Sequence, residues 1–100
     1  MRKIVLLCAM GMSTSLLVNK IKEEAKKQQY DIDIAAHPIS TAVEVSKDAD
    51  IVLLGPQVRF QLTKLKEELS HTKVEAIDML AYGTMNGAKV IEQVKKALGD

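Results

Sequence analysis

One hundred residues suffice for one apolar core and no more, and with 47% hydrophobic residues but only 3% aromatic ones that core must be built from Ile, Val, Leu, Ala and Met. Fourteen basic against thirteen acidic side chains leave a formal charge of +1, and their interspersion excludes the basic stripe of a nucleic-acid binder and the polybasic arm of a membrane-surface protein. A single cysteine excludes an internal disulfide or a two-cysteine redox pair, and with His37 and His71 far apart it offers no metal-ligand spacing, so neither metal nor cofactor is expected and the cytoplasm is the expected compartment.

Ile4-Val5-Leu6-Leu7 is a continuous apolar run, the pattern of a strand covered on both faces. Preceded by Arg2 and Lys3, it mimics the start of a signal peptide, but Gly11, Ser13, Thr14 and Ser15 interrupt the apolar stretch too soon for a secretory segment or a membrane span. From about Ser13 to Lys27 the period becomes helical, with Leu17, Ile21 and Ala25 on one face and mostly lysine and glutamate on the other. Asp31-Ile32-Asp33-Ile34 alternates, which predicts an edge strand with one wet face, ended by His37-Pro38. Thr41-Ala42-Val43-Glu44 has capping-box spacing and predicts a short helix to about Lys47.

Ile51-Val52-Leu53-Leu54 predicts a second strand covered on both faces, broken at its carboxyl end by Gly55-Pro56-Gln57. Val58, Leu62, Leu65 and Leu69 follow at helical spacing. Val74 to Ile77 reads as a half-polar last strand, Asp78 to Gly83 as the loop after it, and Ala88, Ile91, Val94 and Leu98 as the inner face of a closing helix with Gly99 just past its end. Four strand-then-helix units imply an α/β fold with a parallel sheet, right-handed crossovers and helices on both faces. Placing the all-apolar strands in the middle gives one domain over residues 1–100 with strand order 2-1-3-4. Ligands in such open sheets bind at the carboxyl ends of strands beside the point where the order reverses, which is where Cys8 and Gly55-Pro56-Gln57 lie.

The stretch after the first strand carries the chemistry. In Cys8-Ala9-Met10-Gly11-Met12-Ser13-Thr14-Ser15 a sulfur is followed by a turn of small and hydroxylated residues and then by a helix start. Backbone N–H groups of such a turn can converge on an anion, the helix adds its unpaired amides and the positive end of its dipole, and the same field suits a thiolate nucleophile. Ser13, Thr14 and Ser15 can bond phosphate oxygens without supplying an acid or base, Gly11 permits close approach, and Met10 and Met12 offer a soft apolar rim for a partner.

This loop closely resembles the phosphorylation loop of the lactose/cellobiose family of enzyme IIB components of the bacterial sugar phosphotransferase system. Ala49 to Val58, Val74 to Asp78, Tyr82-Gly83 and Asn86-Gly87 extend the likeness over nearly the whole chain, and it is strongest to the branch handling cellobiose, chitobiose and other β-linked oligosaccharides. The resemblance implies a phosphotransferase with a phosphocysteine intermediate. The residue matching Cys8 takes a phosphoryl group from a phosphohistidine of the cognate IIA protein and passes it to a sugar held by the membrane permease IIC. The implied protein is a monomeric, cytoplasmic carrier, associated with the membrane only transiently through IIC.

Two other readings start from the same residues. A low-molecular-weight tyrosine phosphatase resembles this chain in its strand, cysteine loop, helix and overall fold, but requires an arginine where Thr14 stands, and Asp78 would have to be its general acid. A non-catalytic α/β module would treat Cys8 as a buried hydrophobe. Gln57, Asp78 and Tyr82 are the candidates to support Cys8 from neighbouring strand ends, Tyr82 being equally suited to cover the core. Arg59 could attract a phosphoprotein but reads as a solvated helix residue, and His37 and His71 lie at the ends of elements in polar sequence.

Overall fold

A strand with no polar side chain needs a cover on each face, and this requirement shapes the molecule. The computed structural model describes residues 1–9 and 15–100. Strand β1 (Arg2–Cys8) leads to helix α1 (Ser15–Lys27), strand β2 (Ile32–Pro38) and helix α2 (Ala42–Val45); strand β3 (Ile51–Leu54) leads to helix α3 (Leu62–Glu68), strand β4 (Lys73–Ala76) and helices α4 (Met79–Gly83) and α5 (Gly87–Leu98). The sheet is parallel in the order β2-β1-β3-β4, as the apolar runs predict.

Alternate side chains of the central strands divide between two cores. Ile4, Leu6, Ile51 and Leu53 pack with Leu17 and Ile21 of α1 and Val90, Ile91 and Val94 of α5. Val5, Leu7, Val52 and Leu54 pack on the other face with Ala42 of α2, Val58, and Leu65 of α3. Each of these fully buried Leu, Ile and Val side chains contributes roughly 1.5–3 kcal/mol through removal from water. Helices therefore cover both faces, and the carboxyl ends of all four strands point to one pole.

Several boundaries differ from expectation for local reasons. The capping box at Thr41 does not form: its hydroxyl donates back to the Pro38 carbonyl at 2.8 Å, a 3-10 turn over Ile39–Thr41 precedes α2, and the helix ends at Val45. Another 3-10 turn, Pro56–Gln61, opens the segment predicted as one helix from Val58, and Gly55 before it brings no capping side chain. Asp78 to Gly83 is not loop: the Asp78 carboxylate accepts the N–H groups of Leu80 and Ala81 at 2.9 and 3.1 Å and starts α4. In α5, Ala88 is exposed, and Gly87 and Val90 face inward instead. The predicted start of α1 at Ser13 lies outside the described residues.

The inward turn at Gly87 is a close approach of two helices. A β-carbon there would stand 2.4 Å from the Lys20 carbonyl oxygen and 2.6 Å from its carbon, both backbone atoms of α1. Neither can move alone, so Gly87→Ala is expected to separate α1 from α5 and cost about 1–3 kcal/mol, measured as a lower midpoint of urea unfolding. An unchanged midpoint would show that α5 can shift without loss.

At the opposite pole from Cys8, Arg2 holds Asp100 through Nε at 2.8 Å and Nη2 at 2.7 Å, and the Tyr30 hydroxyl donates to the same carboxylate at 2.5 Å. These bonds, with that to Arg2 foremost, pull the Asp100 carboxyl down to about 2. A depressed carboxyl stabilises the fold above its ordinary titration range and loses that effect as pH falls through the native value. Asp100→Asn should therefore melt below the wild type at neutral pH, and the gap should close between about pH 4 and pH 2; a gap independent of pH would rule out the carboxylate as its source.

Candidate functional site

The site begins where β1 ends. Parallel pairing sets Leu7 against His37 and Cys8 against Pro38 on one side and Leu7 against Leu54 on the other, so Cys8 ends an inner strand flanked by β2 and β3. It is 1% exposed, and its thiol donates to the His37 carbonyl at 3.8 Å. Burial alone also suits an inert core cysteine. The position is what separates Cys8 from its buried neighbours: Ala9 is exposed directly after it, and the strand ends there at the switch point of the sheet. Of the predicted phosphate loop, Ala9 and Ser15 are described and both are exposed, Ser15 as the first residue of α1; Met10, Gly11, Met12, Ser13 and Thr14 lie outside the described residues.

Strand β3 delivers the next piece. The Gly55 N–H donates to the Leu7 carbonyl at 2.8 Å, which extends the β1–β3 contact past the last strand residue. A β-carbon on Gly55 would lie 3.1 Å from Gln57 Oε1, 3.3 Å from the Leu7 oxygen and 3.8 Å from Cys8 Cβ. Gly55 thus leaves open a space bordered by the Gln57 amide on one side and the Cys8 side chain on another. Gln57 Nε2 in turn donates to the Tyr82 hydroxyl at 3.3 Å, and the Tyr82 ring packs against the core between the sheet and α1/α5. Of the two roles considered for Tyr82, its ring takes that of covering the core, and its hydroxyl meets the Gln57 amide.

The remaining candidates are placed differently. Asp78 caps α4, with its carboxylate engaged by two backbone N–H groups, and it lines a cleft between β4 and α5 with Lys73, Glu75 and Gln93, a set that includes neither Cys8 nor Gln57. Arg59 is exposed but not merely solvated, since its Nη1 donates to Met79 Sδ at 3.1 Å and ties the turn after β3 to α4. His71 lies beyond α3, at the amino end of β4. His37 meets the site through its carbonyl, a contact that sequence reasoning missed because only the β1–β2 register reveals it. Among the described residues, large apolar side chains are exposed on each segment that follows a strand: Leu16 at the start of α1, Val43 in α2, Phe60 after β3, and Met79 and Leu80 after β4. Phe60 is 81% and Leu80 73% exposed. Among the described residues no group of His, Cys, Asp and Glu could hold a metal ion, and no helix is long and apolar enough to cross a membrane.

A parallel sheet of order 2-1-3-4, with a cysteine closing its inner strand at the reversal point, defines a small open α/β protein whose ligand end is the carboxyl pole. The family model for the lactose/cellobiose-specific IIB subunit of the phosphotransferase system matches residues 3–93, and the chain belongs to that family. It is 45% identical over 95 residues to the oligo-beta-mannoside-specific EIIB component of Bacillus subtilis, covering 93% of this chain and 92% of that one. The solution structure of the cellobiose-specific IIB component from Borrelia burgdorferi superposes with a TM-score of 0.80 at 38% identity, over 98% of this chain and 92% of that one. The lactose-specific EIICB component of Staphylococcus epidermidis contains a region 24% identical over 98 residues, which covers 93% of this chain and 17% of that protein.

The space left by Gly55 can be tested directly. Gly55→Ala should cost about 1 kcal/mol and displace the Gln57 amide, read as shifted side-chain resonances of Gln57 and Tyr82. Unmoved resonances would mean that Gly55 does not set the position of Gln57.

Proposed function

We propose that this chain is a phosphoryl carrier in sugar uptake and that Cys8 Sγ is the atom that carries the group. The donor is a phosphohistidine on a IIA protein. Sulfur attacks phosphorus as the thiolate, the S–P bond forms while the P–N bond breaks, and the imidazole nitrogen keeps the bonding pair and accepts a proton. In the second half-reaction a sugar hydroxyl held by a IIC permease attacks the same phosphorus. The O–P bond forms as the S–P bond breaks, sulfur keeps the bonding pair and is restored as the thiolate, and the hydroxyl proton passes to solvent water. The observation that carries the reading is the place of Cys8 at the carboxyl end of an inner strand, beside the reversal of the sheet, in a chain of the IIB family.

The loop residues Ala9, Met10, Gly11, Met12, Ser13, Thr14 and Ser15 are proposed to hold the phosphoryl oxygens through backbone N–H groups and hydroxyls. The arginines support a carrier over a hydrolase. Thr14 takes the position of the phosphatase arginine, Arg2 is at the far pole on Asp100, and Arg59 is tied to Met79. Without a guanidinium fork the strongest stabiliser of a hydrolytic transition state is missing from that position, which suits an intermediate that must outlast contact with water. The exposed Leu16, Phe60, Met79 and Leu80 give the same pole an apolar rim on which IIA and then IIC can dock in turn. A β-linked oligosaccharide is the proposed acceptor, since the matched relatives are named for oligo-β-mannosides and cellobiose.

Incubation with the general phosphotransferase proteins, a IIA protein and phosphoenolpyruvate should add one phosphate by intact-mass spectrometry, and Cys8→Ser should add none. A labelled Cys8→Ser protein would falsify the assignment of Cys8, and an unlabelled wild type would sink the carrier reading. Release of phosphate from aryl phosphates at ordinary enzymatic turnover would favour the phosphatase instead.

A further inference from the structure

We infer that Tyr82 is a positioning residue that aims the Gln57 amide at the group on Cys8; this rests on the phosphocysteine proposed above. The geometry comes from three sequence-distant segments. Gln57 is exposed, and a long exposed side chain has many rotamers to choose from. Here one end of its amide is bonded to the Tyr82 hydroxyl at 3.3 Å, while the other lies 3.1 Å from the Gly55 β-position, a point itself 3.8 Å from Cys8 Cβ. The amide therefore bridges from a ring fixed in the core to the edge of the cysteine site.

A hydroxyl is the group this bridge needs, because it both donates and accepts. With Nε2 on Tyr82, Oε1 faces the Gly55 side, which is the arrangement observed. A half-turn of the amide lets Tyr82 donate to Oε1 and turns the two Nε2 hydrogens toward Gly55 and Cys8. Phosphate oxygens only accept hydrogen bonds, so a phosphocysteine selects the turned form. Tyr82 keeps a partner in either arrangement, and neither leaves the amide unanchored.

Asp78 fits into this arrangement at one remove. Its carboxylate caps the start of α4 and its carbonyl accepts the Tyr82 N–H at 2.9 Å. Its own N–H donates to Gln93 Oε1 at 3.0 Å, and Gln93 Nε2 donates to Glu75 Oε1 and the Ala76 carbonyl at 3.0 and 2.9 Å. The Tyr82 hydroxyl is thus referenced to β4 and α5, and Asp78 serves the helix that carries it.

The test uses the full chain and rapid-quench transfer from phosphorylated IIA. Tyr82→Phe and Gln57→Ala are each expected to lower the maximal transfer rate about tenfold with KM for the donor unchanged, and the double variant should be no slower than Gln57→Ala alone. Multiplied losses in the double variant would overturn action through Gln57, as would unaltered rates in the single ones. Gln57→Glu keeps the size of the side chain but removes its donors and should be at least as slow as Gln57→Ala; a Gln57→Glu protein with wild-type rates would also overturn the inference. Wild-type labelling with unaffected variants defeats this inference alone, whereas failure to label the wild type removes the phosphocysteine reading beneath it.

Discussion

The structure depends on the burial of β1 on every side. It is paired with β2 along one edge and β3 along the other, and covered by α1 and α5 on one face and by α2, α3 and the turn after β3 on the other. A strand so enclosed has one place to present chemistry, its end. Residues 4–8 are each at most 1% exposed, so a reactive atom on this strand must sit at the last position, where pairing stops and the chain turns out. Cys8 occupies that position.

Parallel topology then assembles the neighbourhood of Cys8 from distant sequence. Parallel strands end at the same pole, so Gly55, after β3, meets Leu7 at the end of β1 although they are tens of positions apart. Small residues decide how near. Gly55 leaves room between the Gln57 amide, the Leu7 carbonyl and Cys8, and at the back of the sheet Gly87 lets α5 rest directly on the backbone of α1. The close contact of those helices supports the inner core, against which the Tyr82 ring lies.

The two poles hold different chemistry. The amino pole ties Arg2, Tyr30 and Asp100 into a charged clasp, while Leu16, Phe60, Met79 and Leu80 are exposed on segments that follow β1, β3 and β4. Arg59, in the turn after β3, donates to the Met79 thioether and so ties that turn to α4.

Much of this was legible in the residues. Two uncharged Ile-Val-Leu-Leu runs could be satisfied only inside a sheet, the alternation of Asp31 to Ile34 only at an edge, and the strand order follows from those needs. Cys8 was legible as a candidate because composition and spacing are local properties. Helix starts were less so: Thr41 had the right spacing for a capping box, but its hydroxyl found the Pro38 carbonyl, and the Asp78 stretch read as loop because a five-residue helix has too little periodicity to show. What only the tertiary structure decided is which distant atoms meet: the His37 carbonyl on the Cys8 thiol, the Gln57 amide on the Tyr82 hydroxyl, and Gly87 on Lys20. Hydrophobic pattern specifies which face is buried, whereas such contacts are set by strand register and by gaps of a few tenths of an ångström, which no single segment encodes.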